Sequence, residues 1–201
     1  MAAKHFRPVF TSTLTQEAGF QQMAKDPGNF CGGKLIGTKY GVGAQAYKAF
    51  YKACPTVAAM KNLTVEQAAQ IWKKTVWDNI QGDAINSEGV CAMLLYATGG
   101  GKSGYTSMRE CINEVAGKEV VTVSSVGKIT AEEVKFINAN TSAFFYTFYK
   151  IRLAYYQNSK NRAYVKGWVN RLNAIYNKYK NSVTAPVKNP YYFNPALTIA
   201  F

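Results

Sequence analysis

Apolar and polar positions along this chain repeat mostly with a helical period. In residues 131–157 the apolar face is carried by Phe136, Phe144, Phe145, Phe148, Tyr149, Tyr155 and Tyr156, and in residues 161–180 by Tyr164, Trp168, Leu172, Ile175, Tyr176 and Tyr179. That spacing gathers apolar side chains on one face, so it predicts two long helices, a C-terminal helical pair. Upstream, Phe10, Leu14 and Glu17 fall at helical spacing and predict a first helix over residues 7–20. Residues 44–54 are alanine-rich and helical, stopped by Pro55. Thr64 with Gln67 makes a capping box, opening a helix through Ala68, Ile71 and Trp72 to Val76. Ser87 opens the next helix. Its run Val90, Cys91, Met93, Leu94, Leu95 is apolar enough to mark the central buried helix. Residues 107–116 give another, stopped by Gly117, and Thr130 with Glu133 makes a second capping box.

The helical rhythm fails in four places. Residues 21–43 carry glycines at 28, 32, 33, 37, 41 and 43 and read as a loop or hairpin lobe. Residues 120–126, rich in valine and threonine, read in isolation as a strand. Gly99 to Gly104 (GGGKSG) imitates a phosphate-binding loop, but Tyr96 stands where the pattern needs its first glycine and a helix precedes the run. It reads as a helix-to-helix loop. After Ser182 the prolines at 186, 190 and 195 mark an extended tail packing back on the body.

Composition adds bounds. At 201 residues with 48% hydrophobic residues the chain can bury a full core. No 18-residue apolar run exists, so no membrane insertion is expected, and residues 1–10 lack the apolar centre of a signal peptide. The net charge of +13 points to an anionic partner: nucleic acid, lipid headgroups or bacterial wall polymers. Cys31, Cys54, Cys91 and Cys111 form no CxxC pair and His5 is the one histidine, so no metal or other cofactor is expected. The cysteines read as buried reduced thiols, with a disulfide as the alternative.

The candidate chemistry gathers near the N-terminus. Glu17 can lie on the helix face that meets the core, where desolvation raises its pKa and suits it to donate a proton. Gly19 suits a helix end, which places the acid at the edge of a cleft. Asp26 follows, before Pro27 and Gly28, and Thr38 sits in the glycine-rich turn. One acid facing a second carboxylate across a groove is the layout of glycoside hydrolysis, with Asp78 and Asp83 as alternatives for the second group. By its chemistry alone, a glutamate at a helix end before a glycine-rich loop is also what a solvated surface acid looks like.

These residues resemble the glycoside hydrolase 108 family, N-acetylmuramidases found as phage endolysins and secretion-associated wall hydrolases. The family's Glu-Gly-Gly-Tyr is matched by Glu17-Ala18-Gly19-Phe20. Its Asp-Pro-x-x-x-Gly-Gly is matched by Asp26-Pro27 with Gly32-Gly33, and its Thr-x-x-Gly-Ile by Thr38-Lys39-Tyr40-Gly41-Val42. The family's Asp-x-x-Val-Asn-Ser-Gly is replaced by Tyr96-Ala97-Thr98-Gly99-Gly100. Arg152-Leu153-Ala154-Tyr155-Tyr156 with Lys166-Gly167-Trp168-Val169-Asn170-Arg171 is similar to the signature of the peptidoglycan-binding half that accompanies the family.

The resemblance implies a mainly α, lysozyme-like fold with a small hairpin lobe and a C-terminal helical pair. It divides the chain into a catalytic region at 1–118, a peptidoglycan-binding region at 119–181 and a tail at 182–201. It implies Glu17 as the acid, and Asp26 with Thr38 holding the attacking water. Phe20, Tyr40, Trp72, Arg152, Tyr156 and Trp168 would contact peptidoglycan glycan strands, and Gly167 would allow close helix packing. The expected enzyme is a monomer without nucleic-acid partners, made in the cytoplasm and acting at the bacterial wall after release through a holin or channel. A lytic transglycosylase, a non-catalytic wall-binding protein and a nucleic-acid-binding helical protein are the alternatives.

Overall fold

The structure, a computed structural model, describes residues 5–14 and 19–183. These residues form two compact units that divide between Ala84 and Ile85.

The first unit begins with α1 (Phe6–Leu14), whose Phe6, Val9 and Phe10 are buried on one face. Phe6 meets the fully buried ring of Trp77 edge-on, with ring centroids 5.2 Å apart. The expected helix at 7–20 is shorter. Residues 15–18, Glu17 among them, lie outside the described residues, and Gly19 and Phe20 are not helical. Next come a 3-10 turn (Pro27–Asn29) and two hairpins, β1 (Phe30–Cys31) with β2 (Lys34–Leu35), and β3 (Thr38–Lys39) with β4 (Val42–Gly43). Then α2 (Ala44–Tyr51), α3 (Val57–Lys61) and α4 (Val65–Trp72) follow.

The capping box at Thr64 forms: its hydroxyl accepts from the Gln67 amide and the Gln67 side chain accepts from the Thr64 amide. Past Trp72 the helix widens into a π-helical turn, Lys73–Trp77. Here Lys73 Nζ reaches Asp78 at 2.6 Å and Asp83 at 3.1 Å, while Trp77 Nε1 donates to Asp83 at 2.7 Å. Burial opposes the charge on Lys73, but its two carboxylate partners outweigh that and hold its pKa above the ordinary lysine value. Asp78 and Asp83 are therefore engaged in tying this turn together.

The second unit is built on α5 (Glu88–Gly99), buried on nearly every side and packed against α6 (Ser103–Ala116), α8 (Thr141–Gln157) and α9 (Arg162–Tyr179). A helix apolar all round has no solvent face and becomes the centre of its unit. For the same reason α5 and α6 belong with the C-terminal helices, and the units divide earlier in the sequence than residue 118. The run before α6 is the helix connection expected. A side chain at position 104 would place its Cβ 2.4 Å from the Ala97 carbonyl oxygen, so glycine there lets α6 start against the end of α5. Tyrosines join α8 to α9: Tyr149 and Tyr176 stack at 4.1 Å, and Tyr146 and Tyr149 donate to the Lys180 carbonyl and the Asn173 side chain.

Three expectations change in this unit. The helix expected at 131–157 is two, α7 (Ala131–Ala139) and α8, broken where the Asn140 side chain donates to the Phe136 carbonyl at 3.0 Å. Gly167 is exposed, and a Cβ there would meet only the Arg171 guanidinium at 3.9 Å, so it serves no close packing among the described residues. Residues 120–126 form no strand, because side chains take their backbone groups. Asn113 accepts from the Val120 and Val121 amides and donates to the Val121 carbonyl. Arg109 donates to the carbonyls of Ser124, Val126 and Lys128.

Arg109 also makes a buried ion pair, Nε to Glu133 Oε1 at 2.7 Å, while the other Glu133 oxygen closes the second capping box on the Thr130 amide. Removing one partner strands a buried charge. Arg109→Met is expected to cost about 3–5 kcal/mol in urea unfolding and to open residues 118–130 to proteolysis. Adding Glu133→Gln, which removes the stranded charge and keeps the cap, is expected to recover part of the loss.

Candidate active site

Residues 19–43 fold with little regular pairing. Each hairpin has two residues per strand, and each turn uses left-handed backbone, at Gly32 and Gly33 (φ 58° and 74°) and at Tyr40 and Gly41 (φ 53° and 70°). Paired positive φ angles suit tight hairpins. An isolated bridge joins Gln21 to Thr38, with both backbone bonds at 2.9 Å.

The centre of this lobe is Asn29, which has no exposed surface. Its backbone carbonyl accepts from the Ile36 and Gly37 amides at 2.8 and 3.0 Å. Its side-chain nitrogen donates to the Met23 carbonyl at 3.0 Å and to Gln21 Oε1 at 3.3 Å. Its side-chain oxygen accepts from the Thr38 hydroxyl. Asn29 is not among the site residues expected from the sequence. A short polar residue between Gly28 and a strand was the available signal, but full burial is set by distant contacts.

Asp26 is half-buried and caps the 3-10 turn, with Oδ1 accepting from the Gly28 amide at 2.9 Å. Its other carboxylate oxygen has no hydrogen-bond partner among the described residues. The turn that Asp26 caps and the Thr38 hydroxyl both border Gly43: a Cβ there would sit 2.8 Å from the Gly28 carbonyl oxygen and 3.6 Å from Thr38 Oγ1. Phe20 lies half-buried beside Gly37, whose φ of 114° and close approach to the Phe20 ring exclude a side chain. Lys61 Nζ stands 5.3 Å from the Phe20 ring centre, and Lys39 Nζ stands 5.0 Å from that of Tyr40. Lys39 also donates to the Lys61 carbonyl at 2.6 Å, which ties the two cations to one edge of the lobe.

The other sequence candidates fall elsewhere. Trp72 is buried, and its indole N–H donates to the Tyr40 carbonyl at 3.1 Å, so it holds the hairpin turn from beneath and offers no ring face to a sugar. In the second unit Arg152 and Tyr156 are buried too. The Arg152 guanidinium packs on the rings of Tyr155 and Tyr156 at 4.4 and 4.5 Å and donates to Ser107 Oγ at 3.2 Å. Contact roles for Trp72, Arg152 and Tyr156 are thereby corrected to structural ones. Trp168 remains half-exposed, stacked with Tyr164 at 5.8 Å.

Cys31 and Cys54 form a disulfide that fastens the first hairpin to the chain just past α2. This corrects the expectation of four reduced thiols. Cys91 and Cys111 are buried thiols outside that disulfide, and burial pushes the Cys111 thiol well above the usual range. Among the described residues no group of histidine, cysteine or acidic side chains is placed to hold a metal ion.

Comparison with known proteins adds two findings. Residues 10–98 match the family model described as glycosyl hydrolase 108. A solved structure, "Structure of Brucella abortus SagA", matches with a TM-score of 0.71 at 18% identity, covering 90% of this chain and 96% of that one. The mainly helical, lysozyme-like architecture expected from the sequence is the architecture of the chain. No curated protein sequence matches it.

The disulfide spans a sequence separation of 23 residues, and in the chain-entropy model cutting it costs about 3 kcal/mol. Thiol titration of the unreduced protein should show two reactive cysteines, and those only after denaturation. Reduction should raise the count to four and shift the urea midpoint downward.

Proposed function

We propose, from the match of residues 10–98 to the glycosyl hydrolase 108 family model, that the chain is a peptidoglycan hydrolase. Its bond is the β-1,4 link between N-acetylmuramic acid and N-acetylglucosamine. The observation that carries the reading is the lobe itself. Within the stretch matched by a glycoside hydrolase family, the turn bearing Asp26 and the hydroxyl of Thr38 meet at Gly43 on a scaffold anchored by a buried asparagine.

In this reading Glu17 donates its proton to the leaving glycosidic oxygen. The Asp26 oxygen that has no partner among the described residues takes a proton from water, and Thr38 holds that water in place. Phe20 and Tyr40 lie on the same lobe and offer ring faces for sugar stacking.

Supporting observations come from the rest of the chain. The net charge of +13 suits anionic wall polymers. The Cys31–Cys54 disulfide suits action in an oxidising compartment, in keeping with release from the cytoplasm and an endolysin-like role at the wall. No helix among the described residues is long and apolar enough to cross a membrane. In the second unit, exposed Tyr155 and half-exposed Tyr164 and Trp168 lie in α8 and α9, with exposed Lys160 in the connection between them and exposed Arg162 and Lys166 in α9. Rings with cations suit a glycan strand bearing lactyl and peptide carboxylates, so this unit is assigned wall binding, with the protein acting as a monomer.

Digestion of purified peptidoglycan by wild type and Glu17→Gln, followed by mass spectrometry, tests the reading. Wild type should release fragments with reducing muramic ends, and the variant should turn over at least roughly 100-fold more slowly. Anhydro-sugar ends would reassign the protein to the lytic transglycosylases. Release of nothing by wild type would leave a wall-binding protein.

A further inference from the structure

The hydrogen bonds around Asn29 fix a direction as well as a position. Gln21 Oε1 accepts from the Met23 amide at 2.9 Å, which identifies that atom as oxygen and an acceptor. The Met23 carbonyl is an acceptor by nature. Asn29 faces both of these acceptors with one side-chain atom, at 3.3 and 3.0 Å, so that atom is its NH2 group. Its oxygen is then the atom facing Thr38, and the Thr38 hydroxyl must spend its only proton there. Asn29 is fully buried, so no water competes for these bonds.

We propose that Asn29 is a positioning residue that makes Thr38 a pure acceptor toward the attacking water. The inference rests on the hydrolase reading above and deepens it. With its proton committed, Thr38 Oγ1 has only lone pairs left to offer. A water bound there must point one O–H at Thr38. Its second O–H points at the Asp26 oxygen that has no partner among the described residues, and a lone pair is left facing the anomeric carbon. As the bond from water oxygen to that carbon forms, the glycosidic C–O bond breaks and its electron pair goes to the leaving oxygen. The leaving oxygen takes the proton of Glu17, and the second water proton passes to Asp26. Had Thr38 been free to donate, it would bind the same water through the lone pair that the reaction needs.

The test compares Thr38→Val, Thr38→Ser and Asn29→Asp on solubilised glycan strands, with kcat and KM measured separately and folding followed by circular dichroism. Thr38→Val keeps the shape and removes the acceptor. It should lower kcat roughly 10- to 100-fold with KM within a factor of about 2. Thr38→Ser should stay near wild type. Azide attacks without an O–H to be oriented, so it should restore part of the Thr38→Val rate and yield a glycosyl azide.

Asn29→Asp should show a new pH dependence. When neutral, its buried carboxyl keeps the bond from Thr38 and donates its single proton to one of the two acceptors, whereas the ionised form sets a negative charge against both acceptors and is driven out of this pose, releasing Thr38. Its kcat should approach wild type in acid and fall as pH rises, with the circular dichroism spectrum unchanged. Thr38→Val turning over at the wild-type rate would overturn the proposal, as would an Asn29→Asp profile parallel to wild type. Failure of wild type to release reducing ends would instead remove the hydrolase reading beneath it.

Discussion

Strands two residues long provide almost no ladder, so the polar groups of the first unit's lobe must be satisfied one at a time. That constraint governs residues 19–43. A buried asparagine does most of the work with both its backbone and its side chain, and the bridge between Gln21 and Thr38 supplies two bonds more. What hydrogen bonds leave loose, the link from Cys31 to Cys54 closes covalently. Phe20, Asp26, Thr38 and Tyr40 owe their positions to these few contacts. A lobe held this way is specific in geometry but has little redundancy, since each anchoring group serves several partners.

Much of the helical frame was legible in the sequence because its signals are local. The capping boxes at Thr64 and Thr130 depend on residues three apart, and both form as read. The apolar run of α5 also announced its burial. Other features hid because they are settled at a distance. Asn140 interrupts a continuous apolar pattern with one side-chain bond that periodicity does not register. The π turn after α4 carries Lys73, whose partners Asp78 and Asp83 lie 5 and 10 residues further on. Pairing of Cys31 with Cys54 depends on a hairpin returning toward the end of α2, which spacing alone does not give.

The site was legible to the level of its turn chemistry. Asp26 before a proline and a glycine-rich run around Thr38 are where the lobe folds. Residue type misled where burial decides. Trp72, Arg152 and Tyr156 have side chains that bind sugars well when exposed, yet each is enclosed and used to hold neighbours. Asn29 erred in the opposite direction, unremarkable by type and central by position. A reading of residue types ranks side chains by what they can do in water. The fold decides which of them meet it.

The valine-rich segment after α6 carries a consequence for association between molecules. Val120, Val123 and Val126 are exposed, and the stretch around them has the composition of strands that stack edge to edge into fibrils. An edge recruits a neighbouring chain through unspent amides and carbonyls. Here Asn113 occupies the amides of Val120 and Val121 and the Val121 carbonyl, and Arg109 occupies the carbonyls of Ser124, Val126 and Lys128. The segment therefore shows its apolar side chains to water while withholding much of the backbone template that would let a second copy add to it. Two side chains of α6 act as gatekeepers against aggregation, a duty separate from anything the lobe does to a glycan.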